Sequence, residues 1–411
     1  MIKLSNILLN KENTYNAFYL SCFLLIISLF FSRALLSISA SLIFLSGLYF
    51  GFTKPKIKNH KDGIALLFTT IYFVFLVSYF WTTNFNIWLS LSFKNVVFIL
   101  IPLGFFFFGQ ICIKCIHKFI KLFCFISIIS ALINAAFSLT QYKEVSRLAT
   151  ESKHLDPLIG SNYHDLSLIY SLTIVFLVFQ IKDNYLVNRL LKRYLWIYLI
   201  FSICIILLAY RFSLIILIIC SSYLFLNNFI NSKSIKLKIT SVIIFILILL
   251  GSYFSIDPLK NRVNNTYQDL KSIYLNKNPN YQSLAQRLAA IKCASEVSKN
   301  NFWIGVAPAD LKEEMTFQYD INSYLLIKEN RMLIHNQYFY YIASYGIFWI
   351  TIFLIGIIAL AKSYALQKNY LSLGVLGIFL CHMLFENTLE MQIPSYMFLF
   401  FLISLQNNRS F

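Results

Sequence analysis

"ALLSISASLIFLSGLYFGFTKPKIKNHKDGIALLFTTIYFVFLVSYF", Ala34 to Phe80, sets two apolar runs around a short segment carrying Lys54, Lys56, Lys58 and Lys61. A helix needs roughly 17–25 apolar residues to cross bilayer hydrocarbon, and each run is about that long. The lysines between them have no place in lipid, so the chain must cross, turn in water and cross again. The same alternation recurs to the C-terminus, so the expected fold is an all-α polytopic membrane protein. Composition agrees. Only 13% of the 411 residues are charged, where soluble chains carry about 25%, and the mean hydropathy is +0.68.

Twelve spans are expected. The first six are Ala17–Phe31, Ala34–Phe52, Gly63–Phe80, Val96–Ile113, Phe119–Leu139 and Leu166–Ile181. The rest are Tyr194–Ala209, Phe212–Leu226, Ile239–Phe254, Tyr338–Ala361, Leu371–Phe385 and Tyr396–Leu405. Basic residues follow the even-numbered spans: Lys54–Lys61, Lys114–Lys121, Lys182–Arg193, Lys233–Lys238 and Lys362–Lys368. By the positive-inside rule these loops and both termini are cytoplasmic. The first apolar run lacks a small-residue cleavage site and is expected to remain as an anchor. The net charge of +18 is thus spread over loops facing anionic lipid, which argues against a nucleic-acid partner. Cys112 and Cys115 form a C-x-x-C without the second pair of a zinc site and read as packed thiols.

The odd-numbered loops then face outward. Trp81–Ser92 is aromatic and nearly uncharged, and Thr140–Asp165 mixes signs. The ninth, Ser255–Ile334, is the longest, so the chain divides into spans 1–9 (1–254), a partly helical periplasmic loop (255–335) and spans 10–12 (336–411). Within the loop, Leu284, Leu288, Ile291 and Val297 fall at roughly helical spacing, which predicts an amphipathic helix over Tyr281–Lys299.

Polar residues that are unusual for so apolar a chain collect on the outward side. Arg211 lies in "LLAYRFSLIIL", Arg287 on the predicted loop helix, and His335 and Asn336 where the tenth span starts. Glu386 and Glu390 lie in "LFENTLEMQIP", and Arg147, His154 and His164 in the loop before the sixth span. Arginine, histidine and glutamate at a membrane surface suit a lipid with a charged head group. Each also has a plainer reading: a snorkelling arginine, a solvated helix face, an interfacial ion pair or a helix cap.

"HNQYFYYIASYGIFW" (His335–Trp349) resembles the His-Asn-x-aromatic…Gly signature of the O-antigen ligase and polymerase superfamily of bacterial envelopes. "QRLAAIKCASEVSKNNFWIGVAPAD" (Gln286–Asp310) resembles its arginine-bearing helix followed by an Asn-x-x-x-Gly-x-Gly turn. "LLAYRFSLIIL" resembles its arginine between two spans, and Glu386–Gln392 its Glu-x-x-Leu-x-x-Gln close. Two positions depart from the pattern. Only the arginine and a displaced Ser213 remain of the Ser-x-Ser-Arg turn, and Ala307 stands where the loop's second glycine is expected.

The resemblance implies a donor glycan on undecaprenyl pyrophosphate at the periplasmic face of the bacterial inner membrane. Its acceptor would be a sugar hydroxyl of lipid A-core or of another glycan. It implies His335 as catalytic base and Arg211 and Arg287 as pyrophosphate-binding residues, with Asn336, Arg147, His164, Glu386 and Glu390 in support. Direct attack implies inversion. No outer Asp-x-Asp pattern occurs, so neither metal nor cofactor is expected. A polymerase uses the same donor and is not separated from a ligase by these residues. Protein O-glycosylation and lipid-glycan transport are the remaining readings.

Overall fold

The computed structural model describes residues 11–53, 63–109, 111–150, 153–160, 162–183, 188–231, 254, 256–275, 280, 283–322 and 326–407. Every regular element among them is helical. Six helices are long and apolar enough to cross a membrane: Arg33–Thr53, Phe85–Phe108, Ile113–Thr140, Tyr163–Lys182, Leu190–Leu208 and Gln337–Leu366. Five shorter apolar helices accompany them: Tyr15–Phe31, Ala65–Phe80, Arg211–Asn227, Tyr370–Met383 and Gln392–Ser404. Residues 239–253 of the expected ninth span, Lys54–Lys61 and Lys233–Lys238 lie outside the described residues.

The chain forms two compact units, residues 1–122 with 278–410, and residues 123–277 with 411. The first holds α1 (Lys11–Phe31), α2 (Arg33–Thr53), α3 (Gly63–Val77), α4 (Phe85–Asn95), α5 (Val97–Phe108) and the start of α6 (Ile113–Thr140). The second holds the rest of α6, then α7 (Tyr142–Thr150), α8 (Tyr163–Asp183), α9 (Asn188–Leu208), α10 (Arg211–Asn231) and α11 (Asp257–Tyr274). The chain returns to the first with α12 (Ser283–Asn300), α13 (Leu311–Ile321), α14 (Gln337–Leu366), α15 (Tyr370–Met383) and α16 (Gln392–Ser404).

Three sequence expectations change. Trp81–Ser92 is not an open loop, because α4 begins at Phe85 and continues through Val96 into α5, making one 24-residue apolar stretch. The polar segment between the ninth and tenth expected spans holds three helices, α11, α12 and α13, instead of one. Of the expected apolar stripe of α12, only Val297 lies on its buried face. Leu288 is exposed, while Ala289, Ala290, Cys293, Ala294, Val297 and Ser298 are buried. Small side chains let α12 approach α13 and α14 closely, and Cys293 Sγ reaches the Met315 carbonyl at 3.3 Å. Large residues on that face would hold the helices apart.

The feature that organises the first unit is a break in α14. Gly346 has φ +75° and ψ −177°, which interrupts the helix inside its apolar length. Carbonyls freed there need donors, since an unpaired amide group in lipid costs several kcal/mol. The Phe302–Ala307 turn supplies them. Val306 N donates to Ala343 O (3.0 Å) and Ala307 N to Ser344 O (2.9 Å). Ile347 N donates to Phe302 O at 2.9 Å in place of the carbonyl one turn back. Backbones this close leave no room for a side chain: a Cβ on Gly346 would overlap the Trp303 carbonyl, and one on Gly305 the Ser344 carbonyl.

Asp310 fixes the far end of the same turn. Its carboxylate accepts from Thr83 N (3.0 Å), Thr83 Oγ1 (2.8 Å), Asn84 N (3.0 Å) and Asn84 Nδ2 (2.9 Å). Four donors satisfy a buried carboxylate that would otherwise be costly.

Ala307, in the departed glycine position, adopts φ +70° and is fully buried. A left-handed non-glycine residue costs about 1–2 kcal/mol, and the added unfolded-state freedom of glycine takes back about 0.4–1 kcal/mol. Ala307→Gly is therefore expected to stabilise the protein by roughly 0.5–1 kcal/mol, read as a higher Tm of the purified protein. Gly346→Ala should abolish the folded form. A lower Tm for Ala307→Gly would show that the Ala307 methyl packs more favourably than its backbone is strained.

Candidate functional site

In the first unit the site begins with Asn336, the residue that starts α14. Its side-chain oxygen accepts from Tyr338 N (3.0 Å) and Phe339 N (3.1 Å), capping the helix. Its amide donates to Leu384 O (3.0 Å), and its backbone N–H donates to Asn387 Oδ1 (3.1 Å). Asn387 Nδ2 in turn donates to the Ile334 carbonyl. These bonds pin the residues on both sides of His335 to the turn between α15 and α16.

That turn carries Glu386. Its Oε2 lies 2.8 Å from His335 Nδ1, and its Oε1 accepts from Arg287 Nη2 on α12 at 3.1 Å. Arg287 Nη1 also donates to Phe385 O (3.0 Å), while its Nε is buried without a partner. The Glu386 side chain is only 9% exposed, against 27% for Arg287 and 29% for His335. Screening by water is therefore weak where the carboxylate meets the guanidinium and the imidazole. An acceptor at Oε2 puts the imidazole proton on Nδ1, which leaves Nε2 as the basic atom. No hydrogen bond to Nε2 occurs among the described residues. The structure thus brings together Arg287, His335, Asn336 and Glu386.

Glu390 is not part of this pair. Burial pushes its carboxyl pKa up, opposed by the Lys94 charge and a hydrogen bond from Tyr340. A raised carboxyl pKa means that the folded state favours the protonated form. The wild-type contribution to stability is then greatest below the ordinary glutamate range and declines as pH rises through the folded pKa. Glu390→Gln, a fixed mimic of the protonated side chain, is expected to raise the Tm at pH 8. The advantage should vanish below about pH 4, where glutamate is protonated in both states. A loss of Tm at pH 8 would mean that attraction to Lys94 outweighs desolvation.

The second unit holds Arg211, His154, His164 and Arg147. Leu208–Tyr210 forms a tight turn with Ala209 at φ +52°, its N–H donating to Ile205 O at 3.0 Å. This left-handed cap ends α9 and sets Arg211 at the first position of α10. Asn134 fixes the loop opposite, accepting from Leu158 N (2.9 Å) and Ile159 N (3.1 Å) and donating to Ile159 O (2.9 Å). The His154 ring stacks on Tyr163 at 4.1 Å and meets Tyr210 edge-on at 5.2 Å. Burial holds its imidazole well below the usual range, helped by the charges of Arg262, His164 and Arg211. His164 itself lies against Tyr163 at 3.9 Å. Arg147 is exposed and paired with Glu144 three residues away, at 2.6 and 2.9 Å.

Sequence reading missed two residues of these surroundings. Asn387 sits in the quoted "LFENTLEMQIP" but has no chemistry of its own to draw notice. Arg262 is the only arginine in the polar stretch "KNRVNNTYQ" of α11. It is nevertheless buried, which only the packing of α11 on α7 reveals.

Residues 196–354 match the family model described as O-antigen ligase. That match agrees with the motif resemblance to the O-antigen ligase and polymerase superfamily. It contains Arg211, Arg287 and His335, and ends before Glu386. No curated protein matches the chain.

Proposed function

We propose that this protein is a glycosyltransferase of the O-antigen ligase type. In this reading it moves a glycan from undecaprenyl pyrophosphate to a lipid A-core sugar hydroxyl, at the periplasmic face of the bacterial inner membrane. The supporting observation is the 2.8 Å contact of His335 Nδ1 with Glu386, which leaves Nε2 open beside the Arg287 charge.

The chemistry follows from that geometry. Nε2 takes the proton of the acceptor hydroxyl as its oxygen attacks the anomeric carbon from the face opposite the leaving group. The bond from that carbon to the phosphate oxygen breaks, the pyrophosphate leaves with the electron pair, and configuration inverts. Glu386 holds the imidazole in the tautomer that can accept a proton and balances the imidazolium that forms. Asn336 and Asn387 position His335. Arg287 fixes Glu386 and adds positive charge near the leaving group, since a guanidinium matches phosphate oxygens and keeps its proton. Arginine charge takes the part that a cation plays in other transferases.

Turnover by purified His335→Gln tests the reading. Glutamine can hydrogen-bond Glu386 but cannot accept a proton near neutral pH, so transfer should fall at least about 10²-fold with donor binding retained. Glu386→Gln should fall less, roughly 10-fold or more, because the base survives without its orienting carboxylate. Near-normal turnover of His335→Gln removes His335 from the mechanism. The glycan pattern of a deletion strain separates the acceptors. Loss of all long chains with lipid-linked polymer accumulating indicates ligation, whereas core bearing a single repeat indicates polymerisation.

A further inference from the structure

Between the polar end of α12, Lys299-Asn300-Asn301, and Gly305 stand three large apolar residues in succession, Phe302, Trp303 and Ile304. They are 46%, 61% and 49% exposed. Their backbone is bonded into α14, yet their side chains stay outside the packed interior of the first unit. Contiguous apolar surface of this kind marks a contact with something other than water.

Depth decides what covers it. α14 runs from Gln337 to Leu366, with Lys362 near its far end. The roughly 20 residues that cross hydrocarbon, counted back from Lys362, reach Ile342. Gly346 then lies about 6 Å inside the apolar slab, on the side of His335. The bonds of Val306 and Ala307 to Ala343 and Ser344, and of Ile347 to Phe302, hold the turn at that depth. The Trp303 ring lies 5.4 Å from that of Phe348, which is itself exposed. Phe348, Ile352 and Ile355 follow one another at helical spacing and are all exposed, as the lipid-facing stripe of a membrane-crossing helix must be. The apolar patch of the turn is continuous with that stripe. Asp310, held by Thr83 and Asn84, then returns the chain to the polar turn between α3 and α4.

We propose that Phe302, Trp303 and Ile304 form a wedge that enters the bilayer on the His335 side and binds phospholipid. Acyl chains pack against Phe302 and Ile304, and glycerol-ester carbonyls accept from the Trp303 indole N–H. Tryptophan suits that level because its ring is apolar while its N–H needs an acceptor. The helix carrying Arg287 is thereby anchored to lipid as well as to α14. This placement is independent of the chemistry proposed above.

Trp303 fluorescence tests it in the full-length protein reconstituted into phosphatidylcholine vesicles. The difference in emission between wild type and Trp303→Phe isolates this residue from the other four tryptophans. Bromine on the acyl chains near the glycerol end should remove most of that difference emission. Bromine near the methyl end should remove less, and iodide in the water little. Quenching by iodide but not by brominated lipid would put the turn in water, and resistance to both would put it under a protein partner or a second copy. Either result overturns the proposal. If Trp303→Phe does not fold, the emission added by Ile304→Trp is read in the same way. Thermal stability gives a second measure. Trp303→Glu should have a lower Tm in vesicles than Trp303→Leu, because lipid expels charge, whereas a turn in water would tolerate both. Equal Tm values for the two variants overturn the wedge. His335→Gln should be quenched as wild type is, so failure of the base assignment would leave this placement standing.

Discussion

The first unit depends on one exchange of backbone hydrogen bonds, in which the Phe302–Ala307 turn completes the helix that Gly346 breaks. Ala343 and Ser344 give their carbonyls to Val306 and Ala307, and Ile347 takes its acceptor from Phe302. An apolar helix cannot stop within hydrocarbon unless its freed groups are satisfied. The turn that satisfies them follows α12 directly, so the helix carrying Arg287 is docked by the bonds that mend α14. His335 stands immediately before the residue that caps that same helix, and Glu386 comes to it from the turn after α15. Arg287 and His335 therefore meet Glu386 because the two segments that carry them share a mended backbone.

The triad is asymmetric in burial. Glu386 is nearly enclosed, and the arginine and histidine on either side of it are about a quarter exposed. The carboxylate is thus the fixed partner and the imidazole the accessible one, an arrangement suited to proton transfer with a group arriving from outside. Glu390, only four residues further on, shows the contrast. Its neighbours are Lys94 and Tyr340, and desolvation is its strongest influence. Two glutamates of one short turn thus have unlike environments because one meets an arginine and a histidine and the other a tyrosine-lined helix.

Hydropathy made most of the helices legible. The tenth, eleventh and twelfth expected spans correspond to α14, α15 and α16 within a few residues. The Phe85–Asn95 helix was not legible, because serines and asparagines interrupt its apolar run and mimic a turn. The buried face of α12 was misread for a different reason: Leu288 and Ile291 are the larger apolar residues, but close packing selected alanines. His335, Arg211, Arg287 and Glu386 were visible as residue types in motif order. That His335 and Arg287 share a single carboxylate was not, because the partners lie 51 and 99 residues from it in sequence. Arg262 was invisible for want of any pattern, and the left-handed Ala307 because alanine announces no such conformation.

The broken helix also bears on how the chain is made. Phe302–Ala307 is translated before Gly346, so the donors and the acceptor that mend the break already exist when the nascent α14 leaves the ribosome. The interrupted segment never has to wait in the bilayer for a partner still to be synthesised. In the opposite order, a membrane-inserted helix with open carbonyls would persist until translation reached its cap, and would be exposed to mispairing and quality-control proteolysis throughout that interval.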